Sequence, residues 1–490
     1  MNNSSNKNNA LEQELVTKHQ ELEAQRKMRE DQLVDLNLGR ILGAITSQSQ
    51  AIETVMELTK GKGQKKVMQL VETEIIRAAN SVLWCPDYSS SRRENQDMNC
   101  YVGTHWLTIE STVWKYFVRQ CAEKCGLPQE FLIDADFMKK LTYNTAYCFF
   151  QSIKSNRPDD EVWLNMPNGT IVIKSDGSVS RHDHRPEDLF YYCLSYNFDP
   201  NAECPTWLAF LDRVVPESEA QQVLAEFFCY ILMKSHRYSK MLWLYGPGQN
   251  GKSTVLNVLE ALIGSANISL ISLSLLTKDQ KIRLGIEHKM VNISSENGKN
   301  VEPNTLKQLA EGEKVTVEKK YYDARQTDDY GKFIIATNIM PKPEDTIAFY
   351  RRMIIMPFLV VIPDNEKDVH LIDKLKQELP GILNWVLSAY PALVKREDFT
   401  ESELCKNALL QYRSQANSVQ MFVEQMCEQS TTTTRGDELF DAYQNYSKFM
   451  DFDSDKKVGR NEFYAQLVKL GHKPVPNGNN SKLFSLRLSE

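Results

Sequence analysis

A nine-residue stretch near the middle of the chain carries the residue types that bind a triphosphate. Residues 246–254 read Gly-Pro-Gly-Gln-Asn-Gly-Lys-Ser-Thr and match the pattern G-x-x-x-x-G-K-S in full. Glycines let the backbone fold around the phosphates with successive N–H groups pointing inward. We expect Lys252 to reach the β- and γ-phosphates of ATP and the Ser253 hydroxyl to bind Mg²⁺. The predicted nucleotide contacts come from seven residues, Gly246, Gly248, Asn250, Gly251, Lys252, Ser253 and Thr254.

The residues on either side give this stretch the context that the chemistry needs. The apolar run Met241–Tyr245 precedes it and predicts a strand, and Val255–Ile263 follows it and predicts a helix. A loop between a strand and a helix places the helix N-terminus, with its partial positive charge, against the phosphates. The sequence therefore predicts nucleotide binding.

A second apolar strand, Lys289–Ser295, leads into the carboxylate of Glu296. A carboxylate at the tip of a strand beside the phosphate loop can polarise the water that attacks the γ-phosphate. Ser295 stands where an acidic residue usually helps to hold the metal. We therefore expect Glu296 to activate the water and to bind Mg²⁺ partly through water, with Ser253, water and the phosphates completing the metal shell. A solvated glutamate after a strand is the alternative.

A third apolar run, Lys332–Thr337, ends in the side-chain amide of Asn338. An amide at this place can hydrogen-bond the γ-phosphate or the attacking water and so sense the state of the nucleotide. An asparagine that only forms a turn before Met340 and Pro341 is the alternative.

Two adjacent arginines, Arg351 and Arg352, precede a further apolar run, Met353–Phe358. A guanidinium supplied by a neighbouring subunit is the usual device for coupling phosphoryl transfer to movement in rings. We expect one of the two to act in this way. The sequence does not indicate which one, and a surface salt bridge is the alternative.

The elements that must position these residues follow an α/β rhythm of short apolar runs and helical stretches. At 490 residues, the chain is too long for one hydrophobic core and fits about three domains. We predict a helical arm and linker over 1–66, a mixed α+β accessory domain over 67–235, an α/β P-loop ATPase core over 236–395, and a C-terminal domain over 396–490.

The segments outside the ATPase core have patterns of their own. Residues 1 to about 60 are rich in Glu, Gln, Lys and Leu without proline, which predicts either an oligomerisation helix or a solvated helix. In the accessory domain we predict helices over Val67–Val82, Ile109–Cys125, Pro205–Val214 and Glu217–Lys234, a hairpin around Tyr101–Trp106, and a strand–turn–strand over Trp163–Ile173.

Composition narrows the class of protein. The chain is 42% hydrophobic and 25% charged, as in soluble globular proteins, and its net charge of −6 argues against a histone-like coat of positive charge. Its ten cysteines show no disulfide-framework or zinc-site spacing. The Asn-rich N-terminus is neither a signal peptide nor a transit peptide, and no apolar run approaches the ~20 residues that cross a bilayer. We expect a cytoplasmic protein without membrane contact.

The phosphate loop, the two strands with polar ends and the arginine pair occur in an order that resembles the superfamily 3 helicases. The likeness is strongest to the poxvirus-type primase-helicase family of phages, plasmids and large DNA viruses. It extends upstream and covers the chain from about residue 70 to the C-terminus. The accessory segments that resemble this family are the aromatic YxGxxW hairpin Tyr101–Trp106, Asn168-Gly169, His182, Phe198–Ala202 and Cys204–Trp207.

The resemblance implies an AAA+-like hexamer with ATP sites between subunits and single-stranded or forked DNA in the central channel. It assigns DNA contact to a hairpin from Gly312 to Tyr321, with Lys320 on the phosphates, Lys319 as the near alternative, and Tyr321 stacking on a base. The family also implies 3′-to-5′ movement, in a bacterial host or an infected cell. A replication initiator or a primase would be a further partner.

The C-terminal segment resembles the winged-helix tail of the same family. It has predicted helices over Asp437–Met450 and Asn461–Leu470, and a two-stranded ribbon that turns at residues 476–480. From 435 to 490 there are 9 Lys and Arg against 8 Asp and Glu, so DNA docking and protein contact both stay open.

Many relatives carry a primase domain in front of the helicase. The arm of about 60 residues is too short for one, so we expect a helicase without a primase. His182 and His184 flank Asp183, but no acidic pair at suitable spacing accompanies them, and we expect a loop rather than a metal site.

The function predicted from these observations is an ATP-driven hexameric DNA helicase for replication of a phage, plasmid or other mobile element. The main alternative is an ATP-dependent initiator or remodeller that melts or loads DNA without processive unwinding. A P-loop kinase and a ring that serves as an interaction scaffold are further alternatives. ATPase activity that is indifferent to DNA would favour these last two.

Overall fold

The structure is a computed structural model of the chain. It describes residues 2–79, 82–84, 97–150, 157–158, 160–295, 301–318, 324–338, 340, 347–449, 458–475 and 482–488. Within these residues, no helix combines the length and the apolar character needed to cross a membrane.

The N-terminal part is helical and surrounds a small antiparallel sheet with strand order β1-β2-β3. The second of its two strand pairs is the hairpin predicted around Tyr101–Trp106, which the structure confirms. Its elements are α1 (Asn2–Ala44), α2 (Ser49–Leu58), α3 (Gln64–Ala79), β1 (Leu83–Trp84), β2 (Met98–Tyr101), β3 (Trp106–Ile109), α4 (Ser111–Lys124), α5 (Gln129–Ile133) and α6 (Ala135–Cys148).

The second half of α1 belongs to the core of this part. Val34, Leu38 and Ile41 are buried in one apolar cluster with Val71 of α3 and Phe117 of α4. The helix predicted at the N-terminus is therefore packed over its second half rather than solvated. The apolar core of this part includes residues on both sides of residue 66. The domain boundary expected there stays a prediction.

A second antiparallel sheet, with order β4-β5-β6, follows and confirms the predicted strand–turn–strand. Its strands are β4 (Val162–Met166), β5 (Gly169–Ile173) and β6 (Val179–His182), and two helices come after it, α7 (Pro205–Val214) and α8 (Ser218–Leu232). Every residue of α8 from Val223 to Leu232 is buried. A helix that is apolar all round must be covered on every side.

The centre of the chain is a five-stranded parallel sheet with order β13-β7-β12-β9-β8. This confirms the α/β core expected from the sequence, and the structure adds that its strands are parallel. The five strands are β7 (Met241–Tyr245), β8 (Ile268–Ser269), β9 (Val291–Ser295), β12 (Lys332–Thr337) and β13 (Met353–Pro357), and between them a two-stranded hairpin joins β10 (Val315–Val317) to β11 (Arg325–Thr327).

Both faces of the parallel sheet are covered, as parallel sheets require. Leu242 and Ile334 point into a cluster shared with α7 and α8, whereas Trp243 and Ile335 point into a cluster on the other face. The helices around the sheet are α9 (Lys252–Ile263), α10 (Leu273–Lys278), α11 (Gln280–Arg283), α12 (Pro303–Glu311), α13 (Ile347–Tyr350), α14 (Leu371–Gln377), α15 (Leu379–Ser388), α16 (Tyr390–Arg396) and α17 (Glu403–Met426).

The C-terminal part has its own apolar cluster, in which Phe422, Tyr443, Phe463 and Phe484 meet. The expected two-stranded ribbon is only partly right. The last strand pairs along its length with a strand that precedes both helices, and the residues before it contribute a single bridge between Val475 and Leu483. The elements are β14 (Cys427–Arg435), α18 (Gly436–Phe449), α19 (Arg460–Lys469) and β15 (Leu483–Leu488).

Polar and aromatic contacts fasten α7 and α8 to later parts of the chain. The carboxylate of Glu378 accepts hydrogen bonds from the first backbone N–H groups of α7. The buried carboxylate of Glu226 accepts from the guanidinium of Arg396 at 2.6 Å and from the backbone N–H of Thr400 at 2.7 Å. The ring of Phe399 lies about 6 Å from two rings of α8. The accessory sheet and the ATPase core therefore fold around one shared interior.

The packing of α15 against the chain that enters α7 leaves no room for a side chain at Gly381. A Cβ there would lie 2.1 Å from the backbone oxygen of Glu203. We expect Gly381→Ala to lower the free energy of unfolding by about 2–3 kcal/mol. The control is Gly39→Ala in α1, where a Cβ meets nothing within 4 Å and should add about 0.5–1 kcal/mol. Urea denaturation measures both, and unchanged stability of Gly381→Ala would contradict this packing.

Candidate nucleotide site

The phosphate loop predicted from the sequence connects the end of β7 to the start of α9. Gly248 and Gly251 have φ angles of 106° and 90°, a backbone region that residues with a Cβ rarely adopt. A Cβ on Gly251 would also lie 2.9 Å from the ring of Phe210 in α7. The glycines therefore serve the shape of the loop and let the accessory helix α7 pack directly beneath it.

The loop is also fastened to the neighbouring strand β13. The side-chain amide of Asn250 donates to the backbone oxygen of Phe358 at 2.7 Å. A Cβ on Gly246 would lie 2.2 Å from that same oxygen. Asn250 is 2% exposed, so in this structure its side chain holds the loop in place. Its predicted contact with the nucleotide stays a prediction.

Lys252 is the first residue of α9 and lies buried in the loop, with 2% exposure. Its Nζ donates to the backbone oxygen of Gly246 at 2.8 Å, to Oδ1 of Asn250 at 3.1 Å and to Oδ1 of Asn338 at 3.0 Å. These three acceptors are neutral oxygens. Burial lowers the pKa of Lys252 to about 8, because the interior disfavours the charged form.

Asn338 reaches this site from the end of β12, which pairs with β7 up to Thr337 and Tyr245. The structure thus brings together two side chains, Lys252 and Asn338, that lie 86 positions apart in the sequence. Ser253 and Thr254 follow in the first turn of α9, where both are partly exposed.

The predicted water-activating residue follows the strand next to Asn338. β9 pairs with β12 up to Ser295 and Ala336, so both strands end at the same edge of the sheet. Glu296 itself lies outside the described residues, and its role stays a prediction.

The two arginines lie at the opposite edge of the sheet, the one where the parallel strands begin. They immediately precede β13, whose first residue, Met353, pairs with Met241, the first residue of β7. Five residues of strand, about 16 Å at 3.3 Å per residue, separate this edge from the loop of the same chain. The structure therefore does not bring Arg351 or Arg352 to the candidate nucleotide site of the same chain.

The environments of the two arginines differ sharply. The side chain of Arg352 is 5% exposed and forms an ion pair with Glu311, the last residue of α12. The side chain of Arg351 is 65% exposed, with its nearest guanidinium nitrogen 3.3 Å from the same carboxylate. A part-buried ion pair holds Arg352 within its own chain, whereas the side chain of Arg351 is open to solvent.

The hairpin predicted to contact DNA is a β-hairpin, formed by β10 and β11. Lys319, Lys320 and Tyr321 lie between these strands and outside the described residues. This hairpin is held by Arg283 of α11, which was not among the residues predicted from the sequence. Its buried guanidinium donates to the backbone oxygens of Leu276, Thr277 and Thr316. A lone arginine between helical residues carries no motif, so no sequence signal could have found it.

His182 takes part in local contacts of the accessory sheet. Its Nδ1 lies 2.8 Å from the backbone oxygen of Asp183, and its ring packs edge-on against Trp163. In the part of the chain that the structure describes, no group of three or more His, Cys, Asp or Glu side chains is placed to hold a metal ion.

Two known families match consecutive parts of this arrangement. Residues 91–216, which hold most of the accessory part, match the family described as D5 N terminal like. Residues 244–352, from the end of β7 to the arginine pair, match a family of unknown function, DUF5906. The chain carries the domain pair typical of phage and plasmid primase-helicases. This confirms the resemblance to D5-like superfamily 3 helicases, a family whose members use nucleoside triphosphates and act on DNA.

Solved structures of the NrS-1 C-terminal region are also similar to this helicase-type chain. The A form apo structure is 13% identical, covers 78% of this chain and 83% of its own, and has a TM-score of 0.46. A second A form structure is 14% identical, with 80% and 84% coverage and a TM-score of 0.48. A further apo structure is 12% identical, with 86% and 99% coverage and a TM-score of 0.45.

The pKa of Lys252 gives nucleotide binding a predicted pH dependence. The ammonium of the free protein loses its proton as the pH rises through about 8. A bound triphosphate stabilises the ammonium and raises its pKa, so that binding above pH 8 takes up a proton. We expect the affinity for ATP to fall between pH 8 and 10, by up to about tenfold per pH unit.

A fluorescent ATP analogue titrated across this range measures the effect. Lys252→Met is the control, since it should bind weakly at every pH and lack the slope. A constant wild-type affinity from pH 7 to 10 would show that the ammonium is not involved.

Proposed function

We propose that this chain is the motor subunit of a ring-shaped DNA helicase, which hydrolyses ATP with Mg²⁺ and moves single-stranded or forked DNA through a central channel during replication of a phage, plasmid or other mobile element. The observation that carries the proposal is that different groups lie at the two ends of the strands of the parallel sheet. One edge holds Lys252 and Asn338, and the other presents Arg351 to solvent.

The contact between Lys252 and Asn338 supports a nucleotide-sensing role for the amide. A γ-phosphate that binds the ammonium competes directly with Oδ1 of Asn338 for it. Asn338 then changes partners at the end of the central strand β12, whose other end is joined to the predicted DNA hairpin through β11. Binding of ATP at one edge is thereby linked to the base of the hairpin at the other.

The donor set at the loop fits a magnesium ion. The Ser253 hydroxyl lies one residue after Lys252 in the first turn of α9, and oxygen is the ligand that Mg²⁺ prefers. Ser253 would hold the ion directly and Glu296 partly through water. When bound, Mg²⁺ neutralises charge on the β- and γ-phosphates.

The separation of the two edges supports catalysis between subunits. Because Arg351 lies about 16 Å from its own phosphate loop, it can act only on the nucleotide of an adjacent copy. A closed ring gives every subunit such a neighbour, and a hexamer is the ring that we propose. Of the two arginines, Arg351 has the exposure that this role needs, and Arg352 supports it from within the subunit.

The hairpin between β10 and β11 is the proposed DNA contact. Lys320, with Lys319 as the near alternative, would bind the phosphate backbone, and Tyr321 would stack on a base. Arg283 fastens the first strand of this hairpin to the segment around α10. The hairpin thus moves with the ATPase core rather than as a separate loop.

The remaining parts serve the ring. We propose the accessory domain over 67–235 as the oligomerisation domain and the C-terminal domain over 396–490 as a winged helix. The order helix, strand, two helices and strand from α17 to β15 supports the winged helix, and a replication initiator or a primase would be its partner.

The first test is catalytic. We expect purified protein to hydrolyse ATP faster with single-stranded DNA and to unwind a forked duplex. Lys252→Ala should abolish both activities without unfolding the protein, because the hydrogen bonds of its side chain to the described residues go to the loop and to Asn338. Forks with either free end, and mass measurement with nucleotide bound, complete the experiment. DNA-stimulated hydrolysis without strand separation would indicate the remodeller instead.

The second test separates the two arginines. Arg351→Ala should lower kcat by about 10³-fold, as loss of a trans arginine does, and leave the melting temperature unchanged. Arg352→Ala removes a part-buried, charged hydrogen bond to Glu311 and should destabilise the protein by about 1.5–3 kcal/mol. Arg351→Ala subunits mixed into wild-type rings should inhibit their neighbours. Additive activity of such mixtures would rule out shared sites.

A further inference from the structure

The last residue of α12, Glu311, contacts both arginines of the pair that precedes β13. Its Oε1 accepts a hydrogen bond from Nη2 of Arg352 and lies 3.3 Å from Nη2 of Arg351. One carboxylate is therefore shared by two guanidinium groups. The contact with Arg352 is part-buried, whereas the contact with Arg351 is exposed and just beyond the usual hydrogen-bond length of about 3.2 Å.

The two contacts of Glu311 differ in how easily they break. The C-terminal end of a helix carries a partial negative charge, so a carboxylate there is stabilised by a cation beside it. Arg352 supplies that cation from a side chain that is 5% exposed. An exposed ion pair such as that of Arg351 shifts an equilibrium by no more than about fivefold. Arg351 can therefore leave Glu311 at little cost, and the carboxylate keeps a partner when it does.

The backbone around Glu311 belongs to the base of the hairpin formed by β10 and β11. Gly312, the next residue, has a φ of 70°, and a Cβ there would lie 2.5 Å from the ring of His236. The hydroxyl of Tyr330, which follows β11, donates to the backbone oxygen of Glu313, which precedes β10, at 2.6 Å. The end of α12 and the two strands of the hairpin are thereby joined. A displacement of the hairpin therefore also moves the carboxylate of Glu311.

Arg351 is attached to a different part of the core. Its backbone oxygen accepts a hydrogen bond from Nζ of Lys240 at 2.9 Å, and the backbone oxygen of Arg352 accepts from the N–H of Met241 at 2.7 Å. The arginine pair is therefore fixed to the start of β7, the strand that leads to the phosphate loop. The contact between Glu311 and Arg351 links the hairpin to this strand. At 3.3 Å, this contact is lost when its two atoms move apart by only about 0.3 Å.

We infer that Glu311 is a positioning residue that restrains Arg351 until DNA displaces the hairpin. The inference rests on the proposed function, in which Arg351 acts on the nucleotide of an adjacent copy and the hairpin contacts DNA. While the carboxylate lies beside the guanidinium, it offsets part of the charge that a phosphoryl group needs. When the hairpin moves, Arg351 is released and the carboxylate stays with Arg352. DNA bound to one subunit thereby increases hydrolysis at the site of its neighbour.

Two other roles for Glu311 predict different kinetics. If Glu311 only anchored Arg352, its loss would lower the melting temperature and reduce hydrolysis by the same factor with and without DNA. If it oriented Arg351 for catalysis, its loss would lower kcat most when DNA is bound. A single long contact orients a guanidinium poorly, because geometric specificity comes from two parallel N–H···O bonds. The geometry therefore favours restraint, which predicts a higher kcat without DNA.

The test is Glu311→Gln, which removes the charge but keeps an oxygen that can accept from Arg352. ATP hydrolysis by the full chain is measured with and without oligothymidine, at a protein concentration where variant and wild type have the same mass with nucleotide. We expect kcat without DNA to rise about two- to fivefold, and kcat at saturating DNA and KM for ATP to stay unchanged. Stimulation by DNA should fall by the same factor. Glu311→Asp, which keeps the charge for Arg352 but is one methylene shorter and withdraws from Arg351, should act in the same way.

The matched control is Glu397→Gln, which makes the same change on an exposed glutamate at the C-terminal end of another helix, α16. It should hydrolyse ATP like the wild type with and without DNA. In an Arg351→Ala background, Glu311→Gln should leave kcat unchanged, because the side chain that it restrains is absent. An effect of the same size in that background would show that Glu311 does not act through Arg351.

Two results separate this inference from the proposed function. A wild-type protein that is stimulated by DNA, with both Glu311 variants stimulated by the same factor, would overturn the inference and leave the helicase intact. A lower kcat of these variants at saturating DNA would overturn it in favour of an orienting role. If DNA does not stimulate hydrolysis by the wild type, the proposed function falls as well.

Discussion

Among the described residues, the hydrogen-bond acceptors of the buried Lys252 ammonium are all neutral, and its position depends on fixed oxygen dipoles at the carboxyl edge of the parallel sheet. The backbone oxygen of Gly246 and the amide oxygens of Asn250 and Asn338 supply these dipoles. Each of them is held by a different strand end, since Asn250 is fastened to Phe358 after β13 and Asn338 follows β12. A shift of any one strand would leave a buried charge with too few acceptors, which is costly. The energy of this one buried charge therefore depends on the relative positions of three strand ends.

The same parallel arrangement forces the rest of the chemistry apart. Parallel strands bring their carboxyl ends to one edge, so Arg351, which precedes a strand, must lie at the other. The hairpin of β10 and β11, which is the proposed DNA contact, shares that second edge, because β11 leads into the start of β12. In the proposed mechanism, one edge therefore binds nucleotide, and the other faces both a neighbouring copy of the chain and the DNA path. This division follows from strand direction alone.

The sequence predicts those parts of the site in which chemistry and geometry are set by neighbouring residues. The phosphate loop lies where expected because strand, glycines, lysine and helix are contiguous, and Asn338 meets Lys252 because both follow parallel strands. The sequence could not distinguish Arg351 from Arg352, because their environments differ in how each contacts Glu311. That residue lies 40 positions from Arg351 and 41 from Arg352. Strand β14 was missed because its residues, Cys-Glu-Gln-Ser-Thr-Thr-Thr-Thr-Arg, lack an alternation of apolar side chains. Arg283 holds the hairpin through three backbone oxygens, and every residue has a backbone oxygen, so no residue type in the sequence indicates these contacts.

The burial of α8 has a consequence for the synthesis of this chain. Phe227 and Tyr230 pack against Phe399, which leaves the ribosome roughly 170 residues later. Translation proceeds at about 5–20 residues per second, so this apolar helix is exposed on the nascent chain for roughly 10–30 s before Phe399 is synthesised. During that time the helix is a natural substrate for chaperones, and on a polysome it is a surface by which unfinished copies of the same subunit can associate. Association of unfinished copies and completion of the individual fold therefore compete for one apolar helix while translation is still under way.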